Sequence, residues 1–86
     1  MKLEKIKHVL REEIKKIWIE NSKEVLNIDV ITTEKNLRDD LNLESIELAI
    51  LTVRIEDIFD VDIFANSFPK TFGEICSIII NEKVVK

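Results

Sequence analysis

One glycine and one proline punctuate the 86 residues of this chain, and that scarcity limits what it can fold into. Sheet-rich folds draw on both residues for their turns, so helices joined by short connections are expected instead. Periodicity agrees. Leu3, Ile6, Leu10, Ile14 and Ile17 recur at three- and four-residue steps, Val9 and Trp18 widen the stripe, and lysines and glutamates fill the other face. Asn21 supplies a stop. A second helical pattern covers about residues 45–59, with Leu48, Leu51, Ile55 and Ile58 as one stripe and Ile46, Ile50 and Val53 largely elsewhere. A helix apolar nearly all round cannot be buried all round in so small a protein, so part of that surface is expected to meet partners. A short turn near Ile63–Phe68, ended by Pro69, precedes a last helix from about Phe72 to Lys83. Thr71 can cap that helix with Glu74 in capping-box spacing, and Phe72, Ile75, Cys76 and Ile79 give its buried side. Residues 21–43 form a long link, with Val25, Leu26, Ile28, Val30 and Ile31 expected to pin it across the helices and a single turn expected at Thr32–Lys35. The expected architecture is all-α, a four-helix bundle of three main helices and one short one, with the long loop between the first and second.

The length and an apolar fraction of 45% suit one domain spanning 1–86, near the size at which a single core just suffices. Cys76 is the lone cysteine, so no internal disulfide can form and no cysteine–histidine set exists for zinc; a small buried hydrophobe is the expected role. With no signal peptide and no apolar run near membrane-spanning length, a cytoplasmic, monomeric protein is expected. Charge is unevenly spread. Residues 1–20 hold six basic and four acidic side chains, whereas residues 37–62 hold eight acidic ones against Arg38 and Arg54. That acidic concentration disfavours nucleic acid, whose phosphates need a basic footprint, and favours partner proteins with basic docking patches.

At the centre of the acidic segment stands Ser45, in the run DDLNLESIELAIL of residues 39–51. It opens the second helical pattern. An ordinary helix N-cap is the plain reading of a serine so placed. No histidine accompanies it to make it a nucleophile, and the carboxylates around it lack the partners of an acid–base pair, so no catalytic residue is assigned and an enzyme is not expected. The hydroxyl is instead well placed for modification, because a phosphate ester there would face free backbone N–H groups at the positive end of the helix dipole. Ser22, Ser67 and Ser77 lack this context, and His8 is expected to be exposed and idle.

The pattern Leu37-x-x-Asp40-Leu41-x-x-Glu44-Ser45-Ile46, followed by Glu47, Leu51, Ile55, Glu56 and Phe59-Asp60, resembles the carrier-site motif of acyl carrier proteins, and the resemblance covers nearly the whole chain. It implies a 4′-phosphopantetheine arm on Ser45, transferred from coenzyme A by a phosphopantetheinyl transferase, with acyl groups held as thioesters and presented to loading and transfer enzymes of a fatty acid, polyketide or related pathway. Just before the serine, two positions depart from the family pattern: Glu44 replaces the usual aspartate, and Asn42 stands where a small residue is usual. Ile50 and Arg54 also replace acidic or polar residues on the exposed face of the second helix, which points to a dedicated partner or, equally, to Ile50 packing against the long loop. The expected recognition face comprises Asp40, Glu44, Ile46, Glu47, Ile50, Val53, Glu56 and Asp57. Two alternatives stay open: an aminoacyl or peptidyl carrier of a nonribosomal pathway, and an unmodified helical adaptor that binds a partner through its second helix.

Overall fold

A computed structural model describes residues 2–65 and 67–85. The protein is all-helical: α1 is Leu3–Glu20, α2 is Ser45–Phe59 and α3 is Phe72–Val85, and among the described residues there is no strand. α1 is the spine, packing against both α2 and α3. Its inward face buries Ile6, Leu10, Ile14, Ile17 and Trp18. The expected short fourth helix is not seen among the described residues. Ile63 and Phe64 form a turn, in which the Asp62 carboxylate accepts the Phe64 N–H at 3.0 Å, and Pro69 follows before the chain can continue as a helix. A single 3-10 turn, Ile28–Val30, lies instead inside the long loop.

α1 ends in a Schellman arrangement: Ser22 takes the left-handed conformation at φ 56°, its N–H reaches the Ile19 carbonyl at 3.2 Å, and the Lys23 N–H reaches Trp18 at 2.9 Å. This reverses the chain and sends Lys23 toward the start of α2. The long loop is then pinned by Ile31, Leu37, Leu41 and Leu43, all buried, while Val25 and Val30 are exposed and Leu26 and Ile28 half-buried, so the anchoring falls further along the loop than hydrophobicity alone suggested. Trp18 donates from its indole nitrogen to the Leu41 carbonyl at 2.8 Å, and Arg11 donates to Ile31 at 2.9 Å while its guanidinium lies over the Phe72 ring. The expected turn at Thr32–Lys35 is present, closed by Lys35 N–H to the Thr32 carbonyl at 3.1 Å.

The same loop seals against the start of α3. Leu37 donates to Lys70 at 2.8 Å, Phe72 to Lys35 at 3.0 Å and Gly73 to Thr33 at 2.9 Å. That last contact explains the single glycine, because a Cβ on Gly73 would sit 2.8 Å from the Thr33 carbonyl oxygen. α3 is capped as its sequence implies: the Thr71 hydroxyl accepts from Glu74 N–H at 3.2 Å, and the Glu74 carboxylate reaches back to Lys70 N–H at 3.0 Å. Phe72, Ile75, Cys76 and Ile79 are buried as expected, and burial pushes the Cys76 thiol up to about 11.

Along α2 the buried row is Glu47, Leu51, Ile55 and Phe59, a pure four-residue repeat. The stripe expected from hydrophobicity included Leu48 and Ile58; Leu48 is only half-buried and Ile58 is exposed. Asp60 ends the helix in the left-handed conformation at φ 58°, a place aspartate tolerates better than most residues.

Candidate functional site at the start of the second helix

The corner that leads into α2 is built from short-range bonds. Asn36 uses its side-chain oxygen to accept from the N–H groups of Arg38 and Asp39, at 2.9 and 3.0 Å, and the Asp40 carboxylate accepts the Asn36 N–H at 2.7 Å. Leu43 then bonds back to the Leu37 carbonyl at 3.0 Å, and Asn42 between them takes φ 55°. The chain thus turns sharply and enters α2 with Glu44 as the N-cap residue and Ser45 as the first residue of the helix.

Ser45 is therefore not the cap. Glu44 and Glu47 form the capping box, and the Glu47 carboxylate accepts the Glu44 N–H at 2.8 Å. The Ser45 side chain is exposed and makes no hydrogen bond among the described residues, which leaves the hydroxyl free beside the unpaired N–H groups of the first helical turn. An open groove of about 500 Å³ runs from it, lined by Leu48, Ala49, Val53, Phe64 and Phe68 with Thr52. Thr52 is already bonded to the Leu48 carbonyl at 2.8 Å, so the walls are essentially apolar. Phe68 is 81% exposed, its ring 6.2 Å from that of Phe64.

The other expected recognition residues divide into three groups. Ile46 and Val53 are well exposed, at 65% and 60%, and Glu44, Glu56 and Asp57 are exposed as well. Asp40 is exposed, but one of its oxygens is committed to Asn36. Ile50 is half-buried and packs against the core, so it belongs partly to both readings given for it. Val53→Glu should therefore change stability by no more than about 0.5 kcal/mol, whereas Ile50→Glu should cost about 1–3 kcal/mol, as read from denaturant midpoints. Equal costs would show that the two positions share one environment.

Glu47 is the clear correction. Expected on the recognition face, it is 1% exposed, because the four-residue repeat of α2 turns it inward above Leu51. Its charge is met by Lys23, whose ammonium bonds one Glu47 oxygen, donates to the Asn42 carbonyl at 2.5 Å and lies 3.9 Å from Glu44. Lys23 was absent from the expected site, and nothing in its sequence neighbourhood marks it. Arg54, expected on the exposed face of α2, is half-buried and bonds Glu20 of α1 at 2.6 Å, which ties the two helices together. His8 is exposed, and among the described residues no group of three or more His, Cys, Asp or Glu side chains could hold a metal ion.

Residues 12–77 match the family model described as the phosphopantetheine attachment site. Comparison with curated proteins and with solved structures returned no match.

Proposed function

The chain belongs to the phosphopantetheine attachment-site family, whose domain is the site of covalent 4′-phosphopantetheine attachment, and from that membership we propose that it is a non-catalytic acyl carrier with Ser45 as the attachment residue. The observation that carries the assignment is the division of labour at the helix start. Glu44 and Glu47 satisfy the cap, so the Ser45 hydroxyl is exposed, uncommitted and at the dipole's positive end. The residues present fit the group: the phosphate would meet free N–H groups at a helix N-terminus, and an apolar groove opens directly beside the hydroxyl.

When bound, the arm supplies a terminal thiol on which acyl groups ride as thioesters activated for transfer. The protein's own residues do the rest. Glu44, Glu56 and Asp57 present negative charge around the helix, which steers partners with basic patches, the phosphopantetheinyl transferase among them, and sets their orientation more than their affinity. Ile46 and Val53 offer a modest apolar contact at the centre of that charge. Weak docking of this kind suits a shuttle that must leave each enzyme after one step. Tethering raises the local concentration of the cargo at whichever enzyme has docked. Residues 1–86 acting as one monomeric, cytoplasmic carrier domain complete the proposal. Fatty acid, polyketide and nonribosomal pathways all load the same thiol, and of these a fatty-acyl or polyketide cargo is our first reading, an aminoacyl one the second.

The test is intact mass after incubation with coenzyme A and a phosphopantetheinyl transferase. One increment of a single phosphopantetheine is expected. An unchanged mass under conditions that load a control carrier would overturn the carrier reading in favour of the unmodified helical adaptor.

A further inference from the structure

Lys23 leaves the Schellman turn at the end of α1 and reaches across to the start of α2, where its side chain is only 15% exposed. One ammonium there joins three points around Ser45. It bonds the Asn42 carbonyl three residues before the serine, lies 3.9 Å from the Glu44 carboxylate just before it, and pairs with Glu47 two residues after it. The Glu47 oxygen that takes this bond also accepts the Glu44 N–H, so lysine, loop carbonyl and helix cap form one connected unit. The Ser45 side chain makes no hydrogen bond to it.

The pair is poorly explained as a stabiliser. Glu47 keeps its second oxygen buried with no hydrogen-bond partner, and a buried ion pair so incompletely satisfied is often no better than apolar residues of similar volume. An apolar side chain at position 47 would simply continue the row of Leu51, Ile55 and Phe59. What the ion pair provides, and a leucine could not, is a directional link between the loop at Asn42, whose φ is 55°, and the first turn of the helix. That link fixes how the chain passes through Glu44 into Ser45, and therefore where the serine oxygen points.

We infer that Lys23, acting through Glu47 and the Asn42 carbonyl, is a positioning residue for arm attachment. The inference rests on the reading of Ser45 as the attachment site. Lys23 is too buried to serve as a docking contact, and its removal leaves the exposed acidic residues in place. Its loss should therefore appear in the turnover of the attachment reaction and not in the carrier concentration it requires, since small misplacements of a reacting group are costly.

The experiment measures initial rates of arm transfer from coenzyme A by a phosphopantetheinyl transferase as the full chain is varied, well below the melting temperature of every variant. Lys23→Met should lower kcat by about tenfold with KM changed by less than about twofold. Glu47→Gln, which keeps an acceptor for the Glu44 N–H but removes the charge, should move kcat in the same direction. Lys23→Arg should restore most of the rate, which a role in bulk stability alone would not require. Wild-type kcat in Lys23→Met, or a loss carried wholly by KM, would overturn the inference. Should Lys23→Met fail to fold, wild-type kcat in Glu47→Gln would overturn it equally. Ser45→Ala runs alongside. If it still accepts an arm, the attachment site itself is misassigned; if it is inert while Lys23→Met and Glu47→Gln turn over normally, only the positioning role is lost.

Discussion

Ser45→Ala is expected to melt like the wild-type chain and to gain no mass from coenzyme A in the presence of a phosphopantetheinyl transferase. Both halves of that result follow from the helix start. Replacing a serine N-cap by alanine typically costs about 1 kcal/mol. Here the capping bonds belong to Glu44 and Glu47, and the serine side chain bonds to nothing among the described residues. The substitution should therefore shift stability by no more than about 0.5 kcal/mol, the range of surface changes that break no specific interaction. Loss of the arm should be complete, because no other serine has the same setting. Ser22 sits at the C-terminal end of α1, where the dipole disfavours a phosphate. Ser77 lies within α3, where backbone N–H groups are already bonded along the helix, and Ser67 follows the turn at Ile63–Phe64 with no helix start. Intact mass and a melting curve on one variant check both claims. A modified Ser45→Ala protein would remove Ser45 from the proposal while leaving the family membership untouched.

Much of the architecture was legible from periodicity. The limits of α2 fall where the pattern placed them, at Ser45 and Phe59, and Asn21 and Thr71 end and begin their helices as residue type suggests. What periodicity could not decide was the direction in which α2 faces. A helix carrying isoleucine, leucine or valine at most positions has several stripes of nearly equal apolarity. The one that is buried opens with a glutamate, while Ile58, apolar and in phase with the expected stripe, is 46% exposed. Hydrophobicity reports which side chains can be buried, and the neighbours on α1 select which ones are.

The candidate site was legible in its chemistry and not in its scaffolding. The run of acidic residues and leucines around a helix-opening serine singled out the hydroxyl, and the structure leaves Ser45, Ile46 and Val53 exposed. Glu47 was misjudged because a glutamate in an acidic, solvent-facing segment looks like one more surface charge. Its buried charge is met by Lys23, which lies 24 residues earlier and follows the left-handed turn at Ser22. A serine in that conformation, in place of the usual glycine, gives no local signal, so the partner of Glu47 could not be read from the sequence around either residue. The single glycine was similarly silent: its reason is the Thr33 carbonyl pressed against it from a distant part of the long loop.

Trp18→Ala should damage the fold severely, with a cost of about 3–5 kcal/mol. Small domains hold only about 5–15 kcal/mol in all, so a large share of the folded state's margin goes with it. The side chain is 1% exposed and stands where α1, the long loop and the approach to α2 meet. Its indole nitrogen is also the donor to the Leu41 carbonyl, at 2.8 Å, in the loop that delivers Asp40 and the turn into Ser45. Trp18→Phe separates these contributions. It keeps most of the ring volume but leaves the Leu41 carbonyl without its donor, and should cost about 1–3 kcal/mol. By thermal melting followed in the far-UV circular dichroism, Trp18→Ala should lower Tm by more than about 10 °C and Trp18→Phe by less. A Trp18→Ala protein that melts within a few degrees of wild type would mean that the loop before Ser45 is held without the tryptophan. In that case the leucine anchors at 37, 41 and 43, with the hydrogen bonds of Asn36, Asp40 and Leu43, would have to account for the shape of the corner.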